Sequence, residues 1–158
     1  MIRVFEAVSK ESGTAGCKIF LAGGITDCPD WQRDLIAKIR GADIKADLDI
    51  YNPRRANFPI GDPNASTEQI KWEFDKLKEA DLILFWFSSG SLNPIVLYEL
   101  GMWGNSRSTP IIVGVDDQYV RKRDVIIQTN LARPNIPILC TLDGLVDGIR
   151  RFVRDRTC

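Results

Sequence analysis

The chain contains no histidine among its 158 residues. That absence excludes the Ser-His-Asp and Cys-His forms of nucleophilic catalysis, His-ligated zinc and the commonest general base. Any chemistry has to rest on carboxylates, hydroxyls, thiols, Lys or Arg. An excess of either charge is also missing. With 21 basic and 21 acidic residues the formal net charge is zero, which leaves no electrostatic footprint for a nucleic-acid polymer or an anionic membrane. The longest apolar run, Leu82 to Phe87, is far too short to span a bilayer, and the N-terminus lacks the apolar stretch of a signal peptide, so the expected setting is cytoplasmic. Cysteine is sparse. Cys17, Cys28, Cys140 and Cys158 form no C-x-x-C pair, and reduced thiols are expected rather than a disulfide framework or a metal site. The expectation is a protein without cofactor or metal.

What is present is an alternation of strand-like and helical patterns over a length suited to one domain, residues 1–158. Strands are expected at Cys17–Ala22, Leu48–Tyr51, Leu82–Phe87, Ile111–Val115 and Pro137–Cys140. Helices are expected at about Asp30–Ile39, Ser66–Glu79, Asn93–Trp103, Val120–Thr129 and Leu142–Arg154. This order predicts an α/β fold with a parallel sheet of about five strands and helices on both faces. Residues 1–16 are an N-terminal extension in which Ile2–Val8 offers an extra edge strand. In such sheets ligands bind beyond the carboxyl ends of the strands, at the point where the strand order reverses.

Glu99 is the sole formally charged residue between Asn93 and Trp103. Asn93 reads as an N-cap and Pro94 as the first helical residue. Helical geometry puts Glu99 on one face with Ile95, Met102 and Trp103, and Leu97 and Leu100 opposite, so the helix is expected to be buried nearly all round. No Lys or Arg stands three or four residues away. A buried carboxyl of this kind is either a poised reactive group or a structural acid held by loop amides or a distant Arg.

The loops at the strand ends supply further candidates. Gly23-Gly24-Ile25-Thr26 lets backbone approach a ligand closely, or is a plain tight turn; it is not G-x-G-x-x-G. Asn52-Pro53-Arg54-Arg55 puts two cations at the same rim, free to grip an anion or to stay solvated. Ser88-Ser89-Gly90-Ser91 is a phosphate cradle or a polar loop, and Asp81 reads as a turn residue. In the second helix the apolar stripe is expected to be Ile70, Phe74, Leu77 and Ala80, with Glu73 half-buried beside it and Trp72 projecting away.

Taken together, Phe20-Leu21-Ala22-Gly23-Gly24-Ile25, Tyr51-Asn52-Pro53-Arg54-Arg55, Gln69-Ile70-Lys71-Trp72-Glu73 ahead of Ala80-Asp81, and Tyr98-Glu99-Leu100-Gly101 closely resemble the nucleoside 2-deoxyribosyltransferase-like family, over about residues 17–150. The resemblance implies a flavodoxin-like Rossmann fold, a homo-oligomer, and cleavage of the N-glycosidic bond of a (deoxy)nucleoside or its 5′-monophosphate. It implies Glu99 as nucleophile, Glu73 as second acid and Asn93 as a sugar contact, with Gly23, Gly24, Ile25, Arg54 and Phe20 around the substrate. Two departures stand out: the family's second acid is generally Asp where this chain has Glu73, and its transferases carry Tyr where this chain has Phe20.

The expected function is therefore cleavage or transfer at an N-glycosidic bond, with oxocarbenium character at C1′ met by Glu99 and the departing base served by Glu73. Arg54 is expected to hold a phosphate or ribose edge, or to pair with Glu73 or Glu99. Trp31 or Trp72 stacks on a base, or makes a core or subunit contact. An exposed Trp72 would also mark a twofold oligomer interface. Two other readings stay open: a silent nucleotide-binding module, and a glycohydrolase of a larger N-glycoside such as a dinucleotide.

Overall fold

A computed structural model describes residues 1–14, 16–59, 61–106 and 108–156; the Cys158 thiol lies outside the described residues. Strands Ile2–Glu6 (β1), Cys17–Gly23 (β2), Leu48–Asn52 (β3), Leu82–Phe87 (β4), Ile111–Val115 (β5) and Ile138–Leu139 (β6) form one sheet in the order β1-β3-β2-β4-β5-β6. All its pairings are parallel. Helices Trp31–Gly41 (α1), Ala65–Glu79 (α2), Pro94–Gly104 (α3), Lys122–Ala132 (α4) and Leu142–Asp155 (α5) connect the strands. The sheet has six strands rather than about five. The sixth is β1, which runs beside β3 from the Ile2–Leu48 pair to the Glu6–Asn52 pair.

The strands alternate with period two, as a doubly covered sheet requires. In β4, Ile83, Phe85 and Phe87 enter the core beneath α2, α3 and α4, whereas Leu82, Leu84 and Trp86 enter the core beneath α1 and α5. The chain leaves β2 for β3 on one side, then crosses back to β4 on the other. Beyond the carboxyl ends of β2 and β4 the two connections diverge and open a crevice.

Two expectations about helix faces are overturned. In α2, Trp72 is buried, while Ile70 is 64 % and Phe74 47 % exposed. The helix is rolled so that the indole packs against Phe20 and Tyr51, with ring centroids 6.3 and 6.2 Å away. Its Nε1–H donates to the Ser9 carbonyl at 3.0 Å. Burial of the largest aromatic surface outweighs that of the thinner Ile70-Phe74 stripe. Lys76 follows it inward, its ammonium meeting Glu79 at 2.9 Å and also Ser12. Trp72 is thus no exposed interface marker.

The second correction concerns α3, which is not buried all round. Val96 and Gly104 are buried, but Ile95 is 65 % and Tyr98 69 % exposed, because no element among the described residues covers the outer side of α3. Asn93, at its start, is left-handed with φ 50° and its side chain caps no helix N–H. Among the described residues no helix is long and apolar enough to cross a membrane.

Candidate active site

The crevice at the strand-order reversal holds a cavity of about 290 Å³. Its walls come from Phe20, Ala22 and Gly23 of β2, the Gly24-Ile25-Thr26 turn, Pro53 after β3, Glu73 of α2, and Ser91, Asn93, Pro94, Ile95, Val96 and Glu99 around α3. The fold therefore gathers Glu99, Glu73, Gly23, Gly24, Ile25, Asn93 and Phe20 in one place. A second cavity of about 520 Å³ opens between α2 and α3. It shares Thr26, Glu73, Ile95 and Glu99 with the first, so the two acids stand at the junction of the chambers.

The carboxyls are poised by opposed effects. Burial raises the pKa of Glu99 to about 8, and the neighbouring Glu73 charge adds to the rise. Burial also raises Glu73, but a hydrogen bond from Gln69 pulls it the other way. No side chain among the described residues donates to Glu99. Phe20, lacking a hydroxyl, contributes only apolar surface to the wall.

The two glycines permit close packing that a Cβ would prevent. A Cβ on Gly23 would overlap the Trp31 ring, and one on Gly24 would overlap the Asn93 amide and the Cys28 sulfur. Asn93 is itself locked. Its Nδ2 donates to the carbonyls of Ser88 and Ser91 at 3.3 and 3.1 Å, and its Oδ1 accepts from Cys28 Sγ at 3.3 Å.

Arg54 does not line the cavity, and it pairs with neither Glu73 nor Glu99. Its Nε donates to Gln32 at 3.0 Å and lies 3.4 Å from Asp30. Its Nη2 reaches the carbonyls of Gly24, Ile25, Cys28 and Pro29 at 3.0–3.5 Å. The guanidinium is absorbed in gathering the turn between β2 and α1, because a planar donor fork satisfies several converging carbonyls that no side chain acceptor could. Neither Trp31 nor Trp72 is free to stack on a base. Both are buried, and Trp31 donates its Nε1–H to the Gly24 carbonyl at 3.1 Å. Asp81 is a turn residue, its carboxylate accepting from the Lys18 amide at 2.9 Å.

Gln69 had no individual role in the sequence pattern. Its spacing of four residues before Glu73 was the available signal, and its Nε2 donates to Glu73 Oε1 at 2.9 Å. No cluster of His, Cys, Asp or Glu among the described residues could hold a metal ion.

Comparison with known proteins bears on the fold and the family. A search of curated proteins gives no match. Among solved structures, the crystal structure of a conserved protein from Enterococcus faecalis V583 superposes with a TM-score of 0.64 at 16 % identity, covering 87 % of this chain and 99 % of that one. At that identity the likeness is one of fold. The family model described as nucleoside 2-deoxyribosyltransferase like matches residues 16–119, more than half of the chain and the whole span from β2 through the Glu99 helix. By that match, the chain belongs to the nucleoside 2-deoxyribosyltransferase-like family.

Proposed function

We propose that this protein cleaves, and transfers where a second base is present, the N-glycosidic bond of a (deoxy)nucleoside or its 5′-monophosphate. The observation that carries the reading is the convergence of two half-buried carboxyls, Glu99 and Glu73, on one cavity beside Asn93 and the Gly23-Gly24 turn. Glu99 attacks C1′ as the C1′–N bond breaks, and the bond's electron pair leaves with the base. Glu73 gives the departing nitrogen a proton or a hydrogen bond. Water or a second base then attacks C1′ and frees Glu99. The pair works with one proton, held by Glu73 and absent from Glu99 at the first step. Neither histidine nor a metal is needed.

The oxocarbenium-like sugar favours this arrangement, since its positive charge stabilises ionised Glu99 in a low-dielectric wall. Asn93 lines the cavity; with both Nδ2 hydrogens engaged, its Oδ1 is the atom that would accept from a sugar hydroxyl, and the side-chain-free turn lets the sugar edge approach backbone. Incubation with a panel of nucleosides and 5′-monophosphates, with and without free bases, tests the reading. Release of a free base that depends on Glu99 supports it. A ligand that binds and stays intact through long incubation would instead support a silent nucleotide-binding module, the reading favoured by a Glu99 that no side chain among the described residues hydrogen-bonds.

The working unit we propose is a homo-oligomer. Ile70, Phe74, Ile95, Tyr98 and Met102 form an exposed apolar surface on α2 and α3, the composition expected of a subunit contact.

A further inference from the structure

Gln69 stands in an unusual position. One hydrogen of its Nε2 goes to the Pro53 carbonyl at 3.1 Å and the other to Glu73 Oε1 at 2.9 Å. A proline carbonyl can only accept, so the amide nitrogen has to face it and the flipped orientation is excluded. This orientation leaves Gln69 Oε1 buried without a partner. An orphaned buried acceptor costs free energy and calls for an explanation. Here the cost is matched by a specific result: the loop after β3 and the second acid are tied together through one rigid amide.

We propose that Gln69 is a positioning residue for Glu73, holding its Oε1 and leaving Oε2 as the oxygen that carries the proton to the departing base. The role rests on the acid function proposed above for Glu73. With Oε1 engaged by a donor, a proton on that oxygen would meet the Nε2 hydrogen, so protonation is directed to Oε2. The same donor favours the ionised form of Glu73, which keeps the group able to take the proton back when water or a second base attacks.

The other ionisable groups bordering these chambers are few. Glu99 and Tyr98 come from α3; Arg55 lines neither chamber and stacks on Phe58, which borders the second, at 5.5 Å. The walls from β2 and its turn, Phe20 to Thr26, and from Ser91 to Pro94 carry no side chain that titrates near neutral pH. Glu73 therefore answers to its burial, which raises it, and to Gln69, which pulls it back.

The test uses Gln69→Met, which keeps the length of the side chain and removes both donors, with Gln69→Leu as a second variant should the first fold poorly. Carbon-13 NMR of the glutamate carboxyls, assigned with Glu73→Gln, reads the Glu73 titration directly and needs no substrate. Loss of a hydrogen bond to the charged form should raise the Glu73 midpoint by about one pH unit. In turnover, kcat should fall roughly ten- to a hundredfold with KM little changed, and the alkaline limb of the pH profile should move upward. A merely structural amide would lower Tm and leave the midpoint where it is, which overturns the proposal. A shifted midpoint in a protein that cleaves no nucleoside would uphold the hydrogen-bond role and overturn the enzymatic reading.

Discussion

Glu73 on α2 and Glu99 on α3 both border the two cavities at their junction, and the Glu73 charge makes that of Glu99 harder to hold. Glu99, with no side-chain donor among the described residues, is raised to about 8 by burial and by the Glu73 charge. A group so placed is ready to give up its proton only when something positive arrives beside it, as the sugar does in glycosyl transfer.

Glu99→Gln should retain less than about a tenth of the wild-type rate, a loss of at least about 1.4 kcal/mol in transition-state stabilisation. The amide keeps the volume but cannot become a glycosyl ester. Steady-state base release measures it, and a variant above that level would remove Glu99 from the nucleophile's place.

The same variant should change stability in a pH-dependent way. A carboxyl whose folded pKa, about 8, lies above its ordinary 4.5 binds protons more tightly folded than unfolded, so it costs stability as pH rises between those values. Glu99→Gln should match the wild type near pH 4 and exceed it above pH 8, by about 1–3 kcal/mol. Denaturant midpoints at several pH values give the answer; a constant difference across that window contradicts the assignment.

Activity should fall as pH rises through about 8, where the pair gives up the one proton that the proposed first step requires. Replacing Glu73 by Gln removes the second cause of the Glu99 shift, so the Glu99 midpoint, read by carboxyl NMR, should move to lower pH. An unmoved midpoint would mean the two acids do not sense each other.

Arg54→Ala should harm the turn rather than a phosphate contact. Losing donors to Gln32 and four loop carbonyls should lower Tm by roughly 5–10 °C. It should also reduce kcat/KM for a nucleoside and its 5′-monophosphate by the same factor. A loss confined to the monophosphate would show that the guanidinium reaches the ligand after all.

Tyr98→Lys, on the exposed side of α3, places a charge where an apolar subunit contact is proposed and should shift the oligomer toward monomer at micromolar concentration. Light scattering reads the mass. An oligomer equally stable in the variant would place the contact elsewhere.

Much of this was legible in the chain because it followed from local pattern. The β4 run, the turn at Gly23-Gly24 and a lone acid in an apolar helix each announce themselves through spacing and composition alone. The roll of α2 did not, because its sequence offers two apolar arcs, one with Ile70 and Phe74 and one with Trp72. The gap between Phe20 and Tyr51 decides between them, and that gap exists only after β2 and β3 have paired. The same holds for Arg54: periodicity says where a side chain starts and nothing about which of many carbonyls within reach will converge on it. For α3, apolar residues all round fit burial by the protomer and burial by a neighbour equally well, and the protomer leaves Ile95 and Tyr98 bare.

The interlock of Gly24 with Asn93 has an evolutionary consequence. Because a Cβ at residue 24 would occupy the space of the Asn93 amide and press on the Cys28 sulfur, residue 24 cannot gain a side chain at low cost while Asn93 stays. Drift at residue 24 should be seen only with compensating drift at its neighbours, as when a shorter side chain at residue 93 makes room for Ala at residue 24. Across related chains the two positions are thus expected to travel as a pair, and Gly24→Ala, damaging alone, should be partly rescued by Asn93→Ser.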